Sequence, residues 1–323
     1  MRKFLDWFRG TSKENKIIFV AAVLSVIIVV GAIFITLQEV GVGVGLGNVP
    51  PRILSVSLKD TNENPVTELD PFTEYYLYVS VSEDNTLLDI EALKVIMYSP
   101  QATETSPDSE ADHYTFIYNA TTGSWIEGVQ DTIILPDCAV PADLTVASGT
   151  YRLAFRLKLA RATSPIADQW TLKVIVFDDN GTNDTYIMNF DVGVYAQIAL
   201  SANQISFYGK PGDTKVPSSP QYITVTVYAN WLWELLIRGT NLTSAEASIP
   251  VSNIFIDDDP NPTEATESGA NIQALTETFQ TALGQSGGYA NGLEINIYFY
   301  IDIPSPLPSG TYTGKIYFAL SVG

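Results

Sequence analysis

The residues best suited to chemistry are a serine among glycines, two runs of carboxylates and a set of asparagines in acceptor sequons. Gly284-Gln285-Ser286-Gly287-Gly288 fits G-x-S-x-G, in which a strand-to-helix turn exposes the serine as a nucleophile. Here the flanking order is reversed, with a helix-like stretch before and a strand-like one after. The sole histidine, His113, is the only imidazole base on offer and falls in another domain. A glycine-rich loop is the better account, and no catalytic residue and no enzyme activity are expected. Asp257, Asp258 and Asp259, with Glu264 and Glu267, gather the carboxylate oxygens that calcium takes. Asp178, Asp179, Asn180 and Asp184 form a second oxygen-rich cluster. Neither has the EF-hand spacing, with Gly at six and Glu at twelve, and a solvated acidic loop is the plainer reading of each. Calcium is the one cofactor the chain admits.

Asn119, Asn180, Asn183 and Asn241 head N-x-S/T sequons, which would be glycan acceptors in an exported protein, whereas Pro262 disqualifies Asn261. Trp231 and Trp233, placed to share one strand face, suit stacking on sugars. Packing explains them and the outward strand tyrosines more simply.

The elements that must position these residues alternate with period two. Tyr75, Leu77, Val79 and Val81 form one inward series, and Tyr151, Leu153, Phe155, Leu157 and Leu159 a second. Trp170, Leu172, Val174 and Val176 follow, then Ile223, Val225 and Val227, then every second residue from Leu293 to Ile303. Each run shows one face to a core and one to water, as antiparallel sheets require. Asn64-Pro65, Asp179-Asn180-Gly181, Pro211-Gly212-Asp213 and Asn291-Gly292 read as turns between them. Only Asn271–Leu283 has helical spacing, through Ile272, Leu275, Phe279 and Leu283. Ser148-Gly149-Thr150-Tyr151 and Ser309-Gly310-Thr311-Tyr312 echo each other, each opening a strand, the second at 313–322. The fold class that follows is all-β: two tandem immunoglobulin-like antiparallel sandwiches, 52–195 and 196–323. A strand running through 184–200 would stiffen the joint.

Charge and hydropathy place the chain. It has 323 residues, 17 Lys plus Arg against 36 Asp plus Glu, a net charge of −19, one Cys and one His. That balance excludes nucleic acid as a partner, and the Cys and His counts exclude an intrachain disulfide and a Cys/His zinc site. Residues 1–16 carry five bases and two acids, while the remaining 307 carry a charge of −22. Between them residues 17–37, IIFVAAVLSVIIVVGAIFITL, are uncharged. As a helix they would span roughly 31 Å, one bilayer core. The positive-inside rule then puts 1–16 in the cytoplasm and the acidic bulk outside, with 17–37 as a signal anchor in the lipid bilayer and 38–51 as a Gly/Pro tether. A cleaved secretory signal ending near Gly41-Val42-Gly43 is the competing reading. A pilin-like leader fits less well, because Thr11–Lys16 separate Gly10 from the apolar run.

The stretches ILSVSLKDTNENPVTELDPFTEYYLYVSVSEDNTLLDIEALKVIMY, SGTYRLAF and QWTLKVIVFDDNGTND resemble immunoglobulin-like domains of archaeal and some bacterial cell-surface proteins. In the second half ISFYGKPGDT, YITVTVYANWLWELLIRGTNLT and SGTYTGKIYFALS resemble another sandwich module of such proteins. The resemblance implies surface location and fold, and it carries no catalytic residue across. The leading expectation is a non-catalytic, membrane-anchored structural or adhesion protein of the cell envelope, whose partners are the bilayer and itself or other envelope proteins. A filament subunit sharing strands by β-augmentation and a glycan- or ligand-binding module are the alternatives.

Overall fold

Alternating apolar and polar residues bury one side chain in two only when extended strands stack face to face, and the chain folds accordingly. A computed structural model describes residues 2–16, 47–163, 168–260 and 272–323. It divides into two compact units, Met1–Gly47 and Asn48–Gly323. In the first, α1 (Arg2–Gly10) is a short helix with Leu5 and Trp7 exposed. The expected anchor, 17–37, and most of the tether, up to residue 46, lie outside the described residues. Among those that are described, no helix is long and apolar enough to cross a membrane.

The second unit is all-β. Its first part holds β1 (Arg52–Asp60), β2 (Glu68–Leu69), β3 (Glu74–Ser82), β4 (Ile90–Tyr98), β5 (His113–Asn119), β6 (Ser124–Glu127), β7 (Ser148–Arg156), β8 (Trp170–Asp178) and β9 (Asn183–Val192). These form a three-stranded sheet, β1-β3-β7, and a six-stranded one, β2-β9-β8-β4-β5-β6. All pairings are antiparallel except β2 with β9. The inward series of both sheets meet in one hydrophobic cluster that includes Leu77, Val79, Tyr151, Phe155, Trp170, Val174 and Phe190.

The second part holds β10 (Ala196–Leu200), β11 (Ser206–Phe207), β12 (Val216–Ala229), β13 (Trp233–Gly239), β14 (Leu242–Thr243), β15 (Ser248–Ile249), β16 (Ile254–Asp257), β17 (Gln273–Ala274), β18 (Gln280–Gly287), β19 (Ala290–Ile301) and β20 (Ile316–Val322). One sheet runs β10-β12-β19-β16-β17, with β11 also on β12, and another runs β18-β13-β20. Val225, Val227, Trp233, Leu235, Ile297 and Phe299 belong to a second, separate cluster.

Four local expectations give way to tertiary pairing. Within the helix-like stretch 271–283, Gln273–Ala274 forms β17 against β16, and the residues from Gln280 begin β18, where Leu236 and Ile237 of β13 partner Thr281 and Gln280. Its Leu283 sits at φ +52 beside Gly284 at +69, a left-handed pair that no helix admits. Asn291-Gly292 is a bulge inside β19, where Val227 faces Leu293 and Tyr228 faces Asn291, and Leu293 is consequently exposed. The expected continuous strand 184–200 breaks between β9 and β10, where a side chain on Gly193 would run into Asp70 Oδ1 at 2.3 Å. Ser148 does open β7, whereas the strand after Ser309 begins only at Ile316.

Candidate functional site

A fully buried amide lies where β12 ends. Val225, Val227 and Ala229 point into the second core, and at the next residue the chain bends before β13. Asn230 occupies that bend with 0% of its surface exposed. Its Nδ2 donates to Ala160 O and Gly193 O, both at 2.8 Å, and its Oδ1 accepts from Tyr195 N at 2.7 Å. Its backbone is used as well, since Ala162 N donates to Asn230 O at 3.0 Å and Asn230 N to Tyr195 O at 3.1 Å. Ala160, Ala162 and Gly193 come from loops of the first core, so one asparagine stitches the two cores together.

Side chains around it repeat the pattern. Arg161 forks onto Asp112, at 2.9 and 3.2 Å, and its guanidinium lies 5.1 Å from the Tyr289 ring centroid. Burial works against the Asp112 charge, but the Arg161 fork and the Ser99 hydroxyl outweigh it and hold the pKa below the ordinary carboxylate value. Burial pushes Tyr289 up to about 12, with the Glu110 charge adding to it. Glu110 takes Lys158 at 3.1 Å and Asn291 Nδ2 at 3.1 Å, and Phe72 meets Tyr195 edge to face at 5.1 Å. The signal for Asn230 in the sequence was a lone amide between the apolar alternation Val225–Ala229 and Trp231-Leu232-Trp233. Nothing there named its partners.

The expected acidic sites come out differently. Asp257, Asp258 and Asp259 hold carboxylate oxygens within 4.8 Å of one another, with Asp257 buried. Burial raises the Asp257 pKa, although its Oδ1 accepts the Asp258 amide at 2.8 Å. Glu264 and Glu267 lie outside the described residues. The cluster 178–184 is not one pooled site. Asp178, 0% exposed, takes Thr182 N and Asn180 N on one oxygen and the Thr182 hydroxyl and Asn48 Nδ2 on the other. Asp184 holds Ile53 N at 2.8 Å. These carboxylates pin the β8–β9 turn and the start of the unit.

Of the sequon asparagines, Asn180 is exposed on that turn, Asn183 is exposed at the start of β9, and Asn119 closes β5. Asn241 is committed at both ends, donating to Glu277 at 2.8 Å and accepting from Val251 N at 2.8 Å.

The remaining candidates are packing. Ser286 lies within β18, opposite Glu234, with no helix after it. A Cβ on Gly287, the variable position after Ser286, would lie 3.0 Å from the Trp233 ring, so this glycine serves as a seat for that indole. His113 is buried in the first part of the unit, bonded to Asp108 at 3.0 Å and to Glu104 O at 3.2 Å. Trp233 is buried and Trp231 half-buried outside the strand, so the expected shared aromatic face is not formed.

No family model and no curated protein matches the chain. Among solved structures, the major pilin GBS80 of Streptococcus agalactiae, as its 35 kDa C-terminal fragment, is similar at 11% identity and TM-score 0.24, over 84% of this chain and 91% of that one. A DUF4466 family protein from Parabacteroides merdae is similar at 13% identity and TM-score 0.25, over 79% and 99%. BcpA, the major pilin subunit of Bacillus cereus, is similar at 10% identity and TM-score 0.22, over 78% and 67%.

Proposed function

We propose that this chain is a non-catalytic structural protein of the cell exterior, in which two tandem immunoglobulin-like sandwiches, 52–195 and 196–323, form a stiff rod behind a membrane anchor at 17–37. The observation that carries the reading is Asn230, whose side chain and backbone make five hydrogen bonds across the joint. A hinge between independent domains would leave such groups to water. An amide so deeply buried serves a fixed geometry. The charge of −22 beyond residue 16 suits a surface kept soluble by repulsion.

The test measures the joint in the full-length chain. Spin labels at the exposed Leu88 and Tyr208, placed through Leu88→Cys and Tyr208→Cys with Cys138→Ser, should give one narrow distance distribution. A broad one overturns the rod. Protease added to intact cells should remove 50–323 and spare 1–16, and a chain protected in intact cells overturns the location.

A filament subunit is the second reading, and β20 favours it. Among the described residues this edge strand forms a ladder with β13 alone, its other near neighbour being β10 of the facing sheet, and a strand of a second copy would pair on that side. Sedimentation at rising concentration separates the two readings.

A further inference from the structure

Which sequons can take a glycan depends on the atoms the fold leaves free, because an acceptor offers an asparagine amide and a hydroxyl two residues on. In Asn180-Gly181-Thr182 the amide donates to Asp179 at 2.7 Å, and the Thr182 hydroxyl donates to the buried Asp178. In Asn241-Leu242-Thr243 the amide donates to Glu277 at 2.8 Å, and the Thr243 hydroxyl to Thr313 O at 3.5 Å. The other two sequons are Asn119-Ala120-Thr121 and Asn183-Asp184-Thr185. Among the described residues, neither amide nitrogen and neither sequon hydroxyl of these two makes a hydrogen bond. Asn119 engages only its Oδ1, which accepts Thr122 N at 3.2 Å, and Thr185 only its backbone amide, on Asp184.

The two free sequons share one row of one face. Strand register sets Asn183 of β9 beside Phe177 of β8, Phe177 beside Ala92 of β4, and Ala92 beside Asn119 of β5. Each is out of step with its strand's buried series, represented by Phe190, Val176, Leu93 and Tyr118. Both asparagines therefore stand on the outer face of the six-stranded sheet, three strand spacings apart, roughly 14 Å.

That face lacks the acids that keep the rest of the chain soluble. Its outward positions in 92–98, 113–119, 171–177 and 183–189 include no Asp or Glu. They hold instead Ile117, Ile175, Phe177 and Ile187, with Ile126 of β6 paired to Ile117. Ile126 and Ile187 are 51% and 59% exposed. Glu104 reaches this face only at its far end, on Lys173 at 2.7 Å. An apolar face on an otherwise acidic chain marks a surface that something covers.

We propose that Asn119 and Asn183 each carry an N-linked oligosaccharide, and that the two together cover the outer face of the six-stranded sheet. In the transfer, Nδ2 bonds to the anomeric carbon of an oligosaccharyl phosphate donor. That carbon's bond to the phosphate oxygen breaks, the phosphate leaves with the electron pair, and the amide gives up one proton. Phe177, beside Asn183 in the row, lies under the first sugar of one chain, and Ile117 and Ile126 lie beside the other. Sugar hydroxyls supply here the hydration that carboxylates supply elsewhere on the surface. The inference rests on the exterior location proposed above.

The experiment uses the full chain in its native source. Protease on intact cells releases the exterior part, and peptide fragmentation that keeps sugars attached locates each modified asparagine. Mass increments should sit on Asn119 and Asn183, with none on Asn180 or Asn241. In the same host, Asn119→Gln/Asn183→Gln should lose both increments, keep a cooperative unfolding transition, and bind more of an apolar dye. Adding Ile126→Thr/Ile187→Thr should remove the extra dye binding. Three results overturn the proposal: Asn119 and Asn183 bare in the released chain, sugar on Asn180 or Asn241 instead, or dye binding unchanged when the sugars are lost. A chain the protease cannot reach overturns the exterior location and this inference with it, whereas a released but bare chain overturns this inference alone.

Discussion

Replacing Asn230 with alanine tests the joint at its centre. The substitution removes three hydrogen bonds of 2.7–2.8 Å and leaves Ala160 O, Gly193 O and Tyr195 N facing a small void. A buried polar group left unpaired costs about 1–3 kcal/mol. Three that share one cavity do not add fully, so the loss should be about 3–5 kcal/mol. The two bonds made by the Asn230 backbone survive the change. For a unit of this size the loss corresponds to a fall in midpoint on the order of 10 °C.

Asn230→Asp refines the test. It keeps an acceptor for Tyr195 N but turns a carboxylate oxygen toward two carbonyls, so burial and repulsion raise the new group's pKa above its unfolded value of roughly 4. An acid with a raised folded pKa is protonated in the native state and ionised in the unfolded one between those values, so stability falls as pH rises through that window. The aspartate variant should therefore be worse than alanine at pH 7 and recover toward pH 4. Urea unfolding of both variants at the two pH values is the assay. An alanine variant within about 0.5 kcal/mol of the parent, the scatter of ordinary surface changes, would refute the stitched joint.

Glu127 offers a second pH test, because its two oxygens accept the amides of Asp131, Thr132 and Ile133 at 2.7–2.8 Å. Burial opposes its charge, but those donors outweigh it and lower its pKa. Its contribution is present above the unfolded carboxylate value and disappears as pH falls through the folded one, so Glu127→Gln should cost about 1–2 kcal/mol at pH 7 and little at pH 2 in chemical unfolding. Among the sequons, mass spectrometry of protein from its native source should find any glycan at the exposed Asn183 in preference to Asn180 and Asn241, whose amides donate to Asp179 and Glu277; occupancy of Asn241 alone would contradict the structure. Cys138 is half-buried, and burial raises its thiol pKa. Alkylation at pH 8 should accordingly be slow until the protein unfolds, and the melting temperature should be the same with and without reductant.

What the sequence determined by itself is the part set by local geometry. A side-chain period of two is a property of the extended backbone, so Tyr75–Val81, Trp170–Val176 and Ile223–Val227 could be assigned to strands, and their buried faces named, without knowing any partner. The acidic character of Asp257–Asp259 and Asp178–Asp184 was equally legible. Tertiary structure decided everything that depends on residues distant in the chain. It turned parts of the helical spacing of 271–283 into strand, residues 273–274 on β16 and the residues from 280 on β13, because strands packed on an existing core outlast an isolated short helix, which is marginal in water. It converted Asn291-Gly292 from a turn to a bulge, and it divided the 178–184 carboxylates between turn closure and the entry strand. Asn230 shows the limit most plainly. Its side-chain partners lie 35 to 70 residues away, and only the meeting of two cores makes it the atom-rich centre of the joint. Asn119 and Asn183 lie between these cases. Each sequon is legible in the chain, but that the two share one row of one sheet face is a consequence of which strands pair, and no local pattern records that.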